Sequence, residues 1–171
     1  ANSTWHGTRV AGIIGAAANN VGTIGAAYGA TILPVRVLGV CGGYVSDIAA
    51  GIQWAAGLGV PGVPNNTAHI AKVINLSIGA NSTCSATFQE AITAARNAGS
   101  VIVVATGNDS TTTISAPANC TGVIAVTAHD RYGDTSPYAN VGIGTSLSAP
   151  GGASNTVGSG IYSTSNTGTT I

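Results

Sequence analysis

Apolar runs alternate with Ala-rich segments along most of the chain. Four runs rich in Val, Ile or Ala favour buried strands, at residues 32–37, 72–78, 100–105 and 122–128. Between them, residues 45–58 and 85–98 place apolar side chains three and four positions apart, which predicts amphipathic helices. Gly99 stands where a left-handed residue ends the second of these helices.

This alternation predicts an α/β fold, with a mainly parallel sheet between helices on both faces in three layers. The 171 residues suit one domain with a single core. Residues 59–68 and those after Ser136 are rich in Gly, Ser, Thr, Asn or Pro and are predicted to form loops. Functional groups collect at the carboxyl ends of parallel strands, so the loops after Val37, Ile78 and Ala105 are the candidate sites.

The composition narrows the class of protein. Charged residues make up 6% of the chain, and five basic residues balance five acidic ones, so no basic surface is expected to bind nucleic acid. No run of 18 strongly apolar residues predicts a membrane span. A chain whose polar residues are mostly uncharged Ser, Thr and Asn is typical of secreted bacterial and fungal enzymes.

The three cysteines each lie among small or polar residues, as loop cysteines do. No two have C-x-x-C spacing, which argues against a zinc or thioredoxin-type site. An odd number in a secreted chain leaves one thiol free or paired outside these residues. We expect a disulfide between Cys41 and Cys84, which leaves Cys120 without a partner here.

Three segments carry candidate chemistry. His6 begins an Ala-, Gly- and Ile-rich helical segment, where a partly exposed imidazole could act as a general base or could simply be a surface residue. Asn108 follows a buried strand and could donate its amide N–H to an oxyanion, although Asn is also common in turns. Residues 73–79 form a strand that ends in small residues and offers backbone for pairing with an extended peptide.

Together these segments resemble the subtilisin-like serine proteases, or subtilases. HGTRVAG at residues 6–12 is similar to the family's histidine motif, INLSIG at 74–79 to its substrate-binding strand, and VVATGN at 103–108 to its oxyanion turn. The motifs occur in the family's order, and the resemblance is strongest to secreted subtilases of Gram-negative bacteria. It implies a secreted, extracellular serine endopeptidase acting on protein or peptide substrates. Residues 1–171 would be the central part of a single catalytic domain, incomplete at both ends.

The resemblance also implies roles for individual residues. His6 matches the general base and Asn108 the oxyanion donor. The two segments that hold the substrate backbone are matched by Cys41, Gly42 and Gly43 and by Ser77, Ile78 and Gly79. One wall of the S1 pocket is matched by Ala105, Thr106 and Gly107. Thr106 replaces a usual Ala and would make that wall slightly more polar.

Two members of the Ser-His-Asp triad have no match. The family's order is Asp, His, Ser, and no strand carrying an Asp precedes His6. Ser146 lies in GTSLSAP, which looks like the nucleophile motif, but the glycine-rich residues after it cannot form the helix that the motif requires. We therefore expect the Asp and the nucleophilic Ser outside these residues, for example on separate chains of a nicked protease.

Three further polar residues have weaker assignments. Asn20 lies in a segment, residues 17–23, that resembles a calcium loop of the family in shortened form. A structural calcium ion is chemically reasonable there, whereas catalysis needs no cofactor. His69 and His129 have no partner motif and are interpreted as structural.

Two other classes of protein share parts of this pattern. An inactive pseudoprotease that only binds peptide would keep the cleft and lose the triad, and the presence of both His6 and Asn108 argues against it. A generic α/β hydrolase would carry a G-x-S-x-G turn after a strand, and this sequence has none.

Overall fold

A computed structural model describes residues 4–153 and 158–166. The chain forms two compact units. One comprises the N-terminal segment to Pro34 together with the segment from Ile161 onward, and the other comprises Val35–Gly160. No helix within the described ranges is long and apolar enough to cross a membrane.

The first unit is built around helix α1 (His6–Gly15). The residue before it, Trp5, has a φ of 54° in the left-handed region. The hydroxyls of Ser163 and Thr164 donate to two backbone carbonyls of α1, at 2.5 and 2.7 Å. Gly12 faces these hydroxyls, and a Cβ atom at this position would overlap them. The small residue therefore lets the C-terminal segment lie directly against the helix.

The second unit contains a parallel sheet. Its described strands are β1 (Val73–Leu76), β2 (Val101–Ala105), β3 (Ile124–His129) and β4 (Leu147–Pro150). They lie side by side in chain order, and every neighbouring pair is parallel. The register places Leu76 beside Val104 and Val104 beside Ala125. The predicted α/β class with a parallel sheet is confirmed.

Alternate residues of the strands form the core. Ile74 and Leu76 of β1 are buried, as are Ile102 and Val104 of β2, while the residues between them are more exposed. Burying one such side chain stabilises the fold by about 1.5–3 kcal/mol. Because a shift of one residue would turn this face toward solvent, the core fixes the register and the position of each strand end.

Two helices, α2 (Val45–Ala55) and α3 (Ala86–Asn97), pack against each other, and α3 also packs on β2. Their buried faces include Ile52 and Ile92. The hydroxyl of Ser85 accepts the N–H of Phe88 at 3.2 Å and thereby caps the start of α3. The helix ends before Gly99, whose φ of 95° is the left-handed conformation predicted for it.

Residues 32–37 were predicted to form a strand, and this prediction is wrong for the described structure. No described strand pairs with this run, and Pro34 has no N–H to contribute to a ladder. An apolar run becomes a strand only when a neighbour completes its hydrogen bonds.

The region after Ser136, predicted to be loop, contains the short strand β4. Its residues Leu147 and Ser148 pair with Val126 and Thr127 of β3. Four residues with mixed polarity carry little periodicity, so the pairing with β3 defines this strand. The glycine-rich stretch that follows is described only at residues 151–153 and 158–166, where it holds no helix.

The disulfide joins Cys84 to Cys120, so the predicted pair Cys41–Cys84 is wrong. The Cα atoms of Cys84 and Cys120 are 5.1 Å apart, within the usual range for a disulfide. The side chain of Gln89 on α3 binds the backbone of Thr121 through two hydrogen bonds of 2.9 and 3.0 Å, which brings the two cysteine segments together. Cys41 lies in an exposed turn and is a free thiol.

Replacing Cys84 and Cys120 together with Ser should lower the free energy of unfolding by about 3–4 kcal/mol, because the bond closes a long loop in the unfolded chain. The Cys41→Ser control should leave that free energy unchanged. Denaturant unfolding of the oxidised full-length protein measures both. A loss in the Cys41→Ser variant equal to that of the double variant would contradict the Cys84–Cys120 pairing.

Candidate active site

The carboxyl ends of β1 and β2 lie at one edge of the sheet. Just beyond them, the backbone of Ala80 pairs with that of Ala116 through hydrogen bonds of 2.9 and 3.0 Å. The N–H of Ser115 donates to the carbonyl oxygen of Thr106 at 2.8 Å. These bonds tie the segment after β1 to the turn after β2. The residues brought to this edge are Ser77, Ile78, Gly79, Ala105, Thr106, Gly107 and Asn108.

Asn108 occupies the turn formed by residues 106–111. It is exposed, and its side chain makes no hydrogen bond with the described part of the chain. The turn includes two residues with positive φ, Gly107 at 118° and Ser110 at 56°. The amide of Asn108 is therefore available as a hydrogen-bond donor at the carboxyl edge of the sheet.

Thr106 does not make the surface more polar, contrary to the prediction. Its side chain is buried, at 1% exposure, and its hydroxyl donates to the carbonyl oxygen of Asn140 at 2.8 Å. The hydroxyl thus satisfies a buried acceptor and is unavailable to a ligand.

Asn140 was not identified from the sequence. It is 1% exposed, and its Oδ1 accepts the N–H groups of Asp109 and Thr111 at 2.8 and 3.3 Å. Its Nδ2 donates to Oδ2 of Asp109 and to Oγ of Ser115, both at 3.3 Å. This one side chain therefore holds the part of the turn that follows Asn108. A single Asn in a loop-like sequence gives no signal of such burial.

Gly107 leaves the space that the Asn140 amide needs. A Cβ atom at this position would overlap Nδ2 of Asn140 and Oγ of Ser115. Its φ of 118° is also one that side chains rarely adopt. The glycine is therefore required both by the backbone conformation and by the close approach of Asn140.

The arrangement fits the stabilisation of a developing negative charge. A donor held in place by a rigid frame need not reorganise when charge develops on an oxygen. The described part of the second unit supplies such a frame, made of the sheet edge and the buried Asn140. The unpaired amide of Asn108 lies on this frame.

His6 lies in the first unit as the first residue of α1 and is exposed. Its ring makes no hydrogen bond within the described residues. The helix beneath it is held by Ser163 and Thr164. The imidazole is thus accessible on an anchored helix, which suits proton transfer.

Cys41, Gly42 and Gly43 form an exposed, glycine-rich turn of the second unit. The N–H of Gly39 donates to the carbonyl oxygen of Gly42 at 2.8 Å and closes the turn. A shallow groove of about 350 Å³ runs beside it, lined by Arg36, Val37, Leu38, Gly39 and Asp47. The substrate-binding role of this segment stays a prediction.

The remaining candidates have structural contacts. Ser146 lies just before β4, and its Oγ accepts the N–H of Ala125 at 3.0 Å, so it does not stand at the start of a helix. His69 uses its backbone N–H to bind Oδ1 of Asn66. The Nδ1 atom of His129 lies 2.7 Å from the carbonyl oxygen of Asp130.

Asn20 lies in an exposed turn of the first unit with a φ of 62°. The neighbouring Asn19 uses its Oδ1 to accept the N–H of Val21 at 3.1 Å. Calcium takes about six to eight oxygen ligands, and residues 17–23 offer amide and carbonyl oxygens but no carboxylate. The described residues contain no cluster of three or more His, Cys, Asp or Glu that could hold a metal. Calcium at Asn20 remains a prediction.

Known proteins resemble the chain over nearly all of its length. A model of the subtilase family matches residues 1–171. The extracellular protease of Xanthomonas campestris pv. campestris is 51% identical over 172 residues, covering 99% of this chain and 28% of that protein. The extracellular basic protease of Dichelobacter nodosus is 46% identical over 151 residues, covering 87% and 25%. A solved structure titled as proteases from Pseudoalteromonas arctica has a TM-score of 0.87 and 48% identity, covering 91% of this chain and 46% of that one.

These matches cover the residues that form the parallel sheet and the segments at its carboxyl edge. The chain is an α/β protein with the subtilisin-like fold. It belongs to the subtilase family. It spans about a quarter of the length of the two extracellular proteases, 28% of one and 25% of the other.

Replacing Gly107 with Ala should lower the free energy of unfolding by about 2–5 kcal/mol, because it adds backbone strain and displaces the Asn140 amide. Gly133→Ala is the matched control: its φ is 87°, and a Cβ atom there would meet nothing within 4 Å. That control should lose only about 1–2 kcal/mol. Urea unfolding measures both, and equal losses would contradict the close approach of Asn140.

Proposed function

We propose that this chain is part of a secreted serine endopeptidase, in which His6 is the general base and Asn108 the oxyanion donor. The observation that carries the proposal is the exposed, unpaired amide of Asn108 on a turn fixed at the carboxyl edge of the sheet. Membership of the subtilase family and the printed names of the relatives, which are extracellular proteases and subtilisins, support the same activity. The Asp and the nucleophilic Ser are expected outside these residues.

The proposed reaction has two stages. The Ser Oγ attacks the peptide carbonyl carbon while His6 takes its proton, and the carbonyl oxygen becomes an oxyanion that accepts a hydrogen bond from Nδ2 of Asn108. The C–N bond then breaks as His6 returns the proton to the leaving amine. A water molecule then attacks the acyl carbon and gives a proton to His6. The bond between that carbon and the Ser Oγ breaks as His6 returns the proton to the Oγ, which releases the carboxylic acid and restores the Ser hydroxyl.

The substrate is proposed to be a protein or peptide in an extended conformation. Its backbone would lie between residues 77–79, at the end of β1, and the exposed turn at residues 41–43. Both segments expose glycine backbone, which an extended peptide can approach closely. Residues 105–107 would form one wall of the S1 pocket. Secretion of the enzyme is inferred from relatives that are named extracellular.

His6→Ala in the full-length enzyme should lower kcat by about 10⁴-fold or more, because no other group would accept the Ser proton; subtilisin itself loses roughly 10⁶-fold when its triad His is removed. His69→Ala, which also removes an exposed imidazole, should keep kcat within about 2-fold. Hydrolysis of a chromogenic peptide measures both. Binding of peptide without turnover in the wild-type enzyme would favour the peptide-binding pseudoprotease instead.

Asn108→Ala should lower kcat by about 10²–10³-fold and change KM little, which is the range found for the same donor in subtilisin itself. The donor acts on charge that exists only in the transition state, so ground-state binding is spared. Asn97→Ala removes another exposed amide, at the end of α3, and should leave kcat unchanged. Steady-state kinetics decide the matter, and wild-type kcat in Asn108→Ala would refute the oxyanion role.

A further inference from the structure

We propose that Asn140 is a positioning residue for peptide-bond hydrolysis: its buried amide holds the turn after β2 so that Asn108 keeps the orientation of an oxyanion donor. The inference rests on the proposed role of Asn108 and extends it to a residue outside the motifs at residues 6–12, 74–79 and 103–108. Asn140 would not contact the substrate. It would act through the backbone on both sides of Asn108.

The contacts of Asn140 bracket Asn108. On the N-terminal side, the backbone N–H of Asn140 donates to the carbonyl oxygen of Gly107 at 3.0 Å. On the C-terminal side, Oδ1 of Asn140 accepts the N–H of Asp109 at 2.8 Å and that of Thr111 at 3.3 Å. The residues immediately before and after Asn108 are therefore both bound to Asn140. The positions of these two residues set the direction of the Cα–Cβ bond of Asn108.

Asn140 is itself fixed to the sheet. Its carbonyl oxygen accepts the hydroxyls of Thr106 and Thr127, at 2.8 and 2.9 Å. Thr106 follows β2 directly and Thr127 lies within β3. Both hydroxyls are buried with Asn140. The position of the sheet is thus transmitted through Asn140 to the turn.

Asn108 depends on this support to keep its orientation. Its side chain is exposed and unpaired within the described part of the chain. An oxyanion donor is effective only when its N–H already points at the site where charge develops. A turn that is free to move would have to become ordered when the oxyanion forms, and this would reduce the net stabilisation of the transition state. Such a loss would lower kcat without weakening ground-state binding.

The amide group is the side chain that suits these contacts. It accepts two N–H groups through Oδ1 and donates to the Asp109 carboxylate and to Ser115 through Nδ2. A methyl group would leave the N–H of Asp109 unpaired at this half-buried site, and an unpaired buried group is costly. A carboxylate would keep the acceptors but would face the Asp109 carboxylate with a like charge.

The test begins with kinetics of the full-length enzyme on an uncharged peptide substrate. Asn140→Ala and Asn140→Asp should each lower kcat by about 10- to 100-fold, a part of the effect of losing the donor, and keep KM within about 3-fold. Ser100→Ala is the control: it removes a buried hydrogen bond, from Oγ of Ser100 to the carbonyl oxygen of Ala71 at 2.7 Å, at the other end of β2, so it should lower thermal stability and keep kcat within about 2-fold. Wild-type kcat in both Asn140 variants would overturn the proposal.

A double-mutant cycle separates positioning from general destabilisation. If Asn140 acts through Asn108, adding Asn140→Ala to Asn108→Ala should lower kcat by less than about 3-fold further. Independent effects that multiply would overturn the proposal. A wild-type kcat in Asn108→Ala alone would instead refute the proposed function, so the two failures are distinguishable.

Exchange of the two partners covers the case in which a single variant fails to fold. The pair Asp109→Asn with Asn140→Asp places a carboxylate opposite an amide again and keeps one negative charge. The exchanged enzyme should recover kcat to within about 5-fold of the Asp109→Asn variant, well above Asn140→Asp alone. No recovery in a folded exchanged enzyme would overturn the proposal.

Discussion

Three hydrogen bonds made by one buried side-chain amide, that of Asn140, hold the turn on which the proposed oxyanion donor stands, and a fourth joins the same amide to Ser115. Removing one partner of a buried hydrogen bond lowers the free energy of unfolding by about 1–3 kcal/mol, because the remaining group then has neither a protein partner nor water. Asn140 is buried against the sheet, and Gly107 must lack a side chain because a Cβ atom there would overlap Nδ2 of Asn140. The sheet, Gly107 and the Asn140 amide are thus fixed relative to one another.

The same contacts extend to the segment after β1. Ser115 binds the Asn140 amide through its Oγ and the Thr106 carbonyl through its N–H. The next residue, Ala116, pairs with Ala80. The loop that contains Ser115 and Ala116 ends at Cys120, which is bonded to Cys84 at the start of α3. The proposed oxyanion turn and the proposed substrate-binding strand therefore share one support, which keeps their spacing constant.

Much of this fold follows from local pattern. Continuous apolar runs predict β1 and β2 as buried strands, and Gly99 marks the end of α3. Features that depend on partners could not be predicted. The run at residues 32–37 is apolar but unpaired in the described chain, and β4 has mixed polarity but is paired with β3.

The site shows the same division. Asn108 could be found because a donor after a buried strand belongs to a recognisable motif. Asn140 could not, because its importance comes from burial against residues that are distant in sequence. The cysteine pairing also depends on tertiary contacts: Gln89 on α3 brings Thr121, and with it Cys120, close to Cys84.

The most direct measurement is a crystal structure of the full-length enzyme inhibited by a peptide boronic acid, in which one boronate oxygen takes the place of the oxyanion. Nδ2 of Asn108 should lie about 2.7–3.1 Å from that oxygen. Asn140 should keep its hydrogen bonds to Asp109, and the boron should be bonded to a Ser outside these residues. A boronate oxygen held only by other donors, or boron bonded to Ser146, would contradict the central claim.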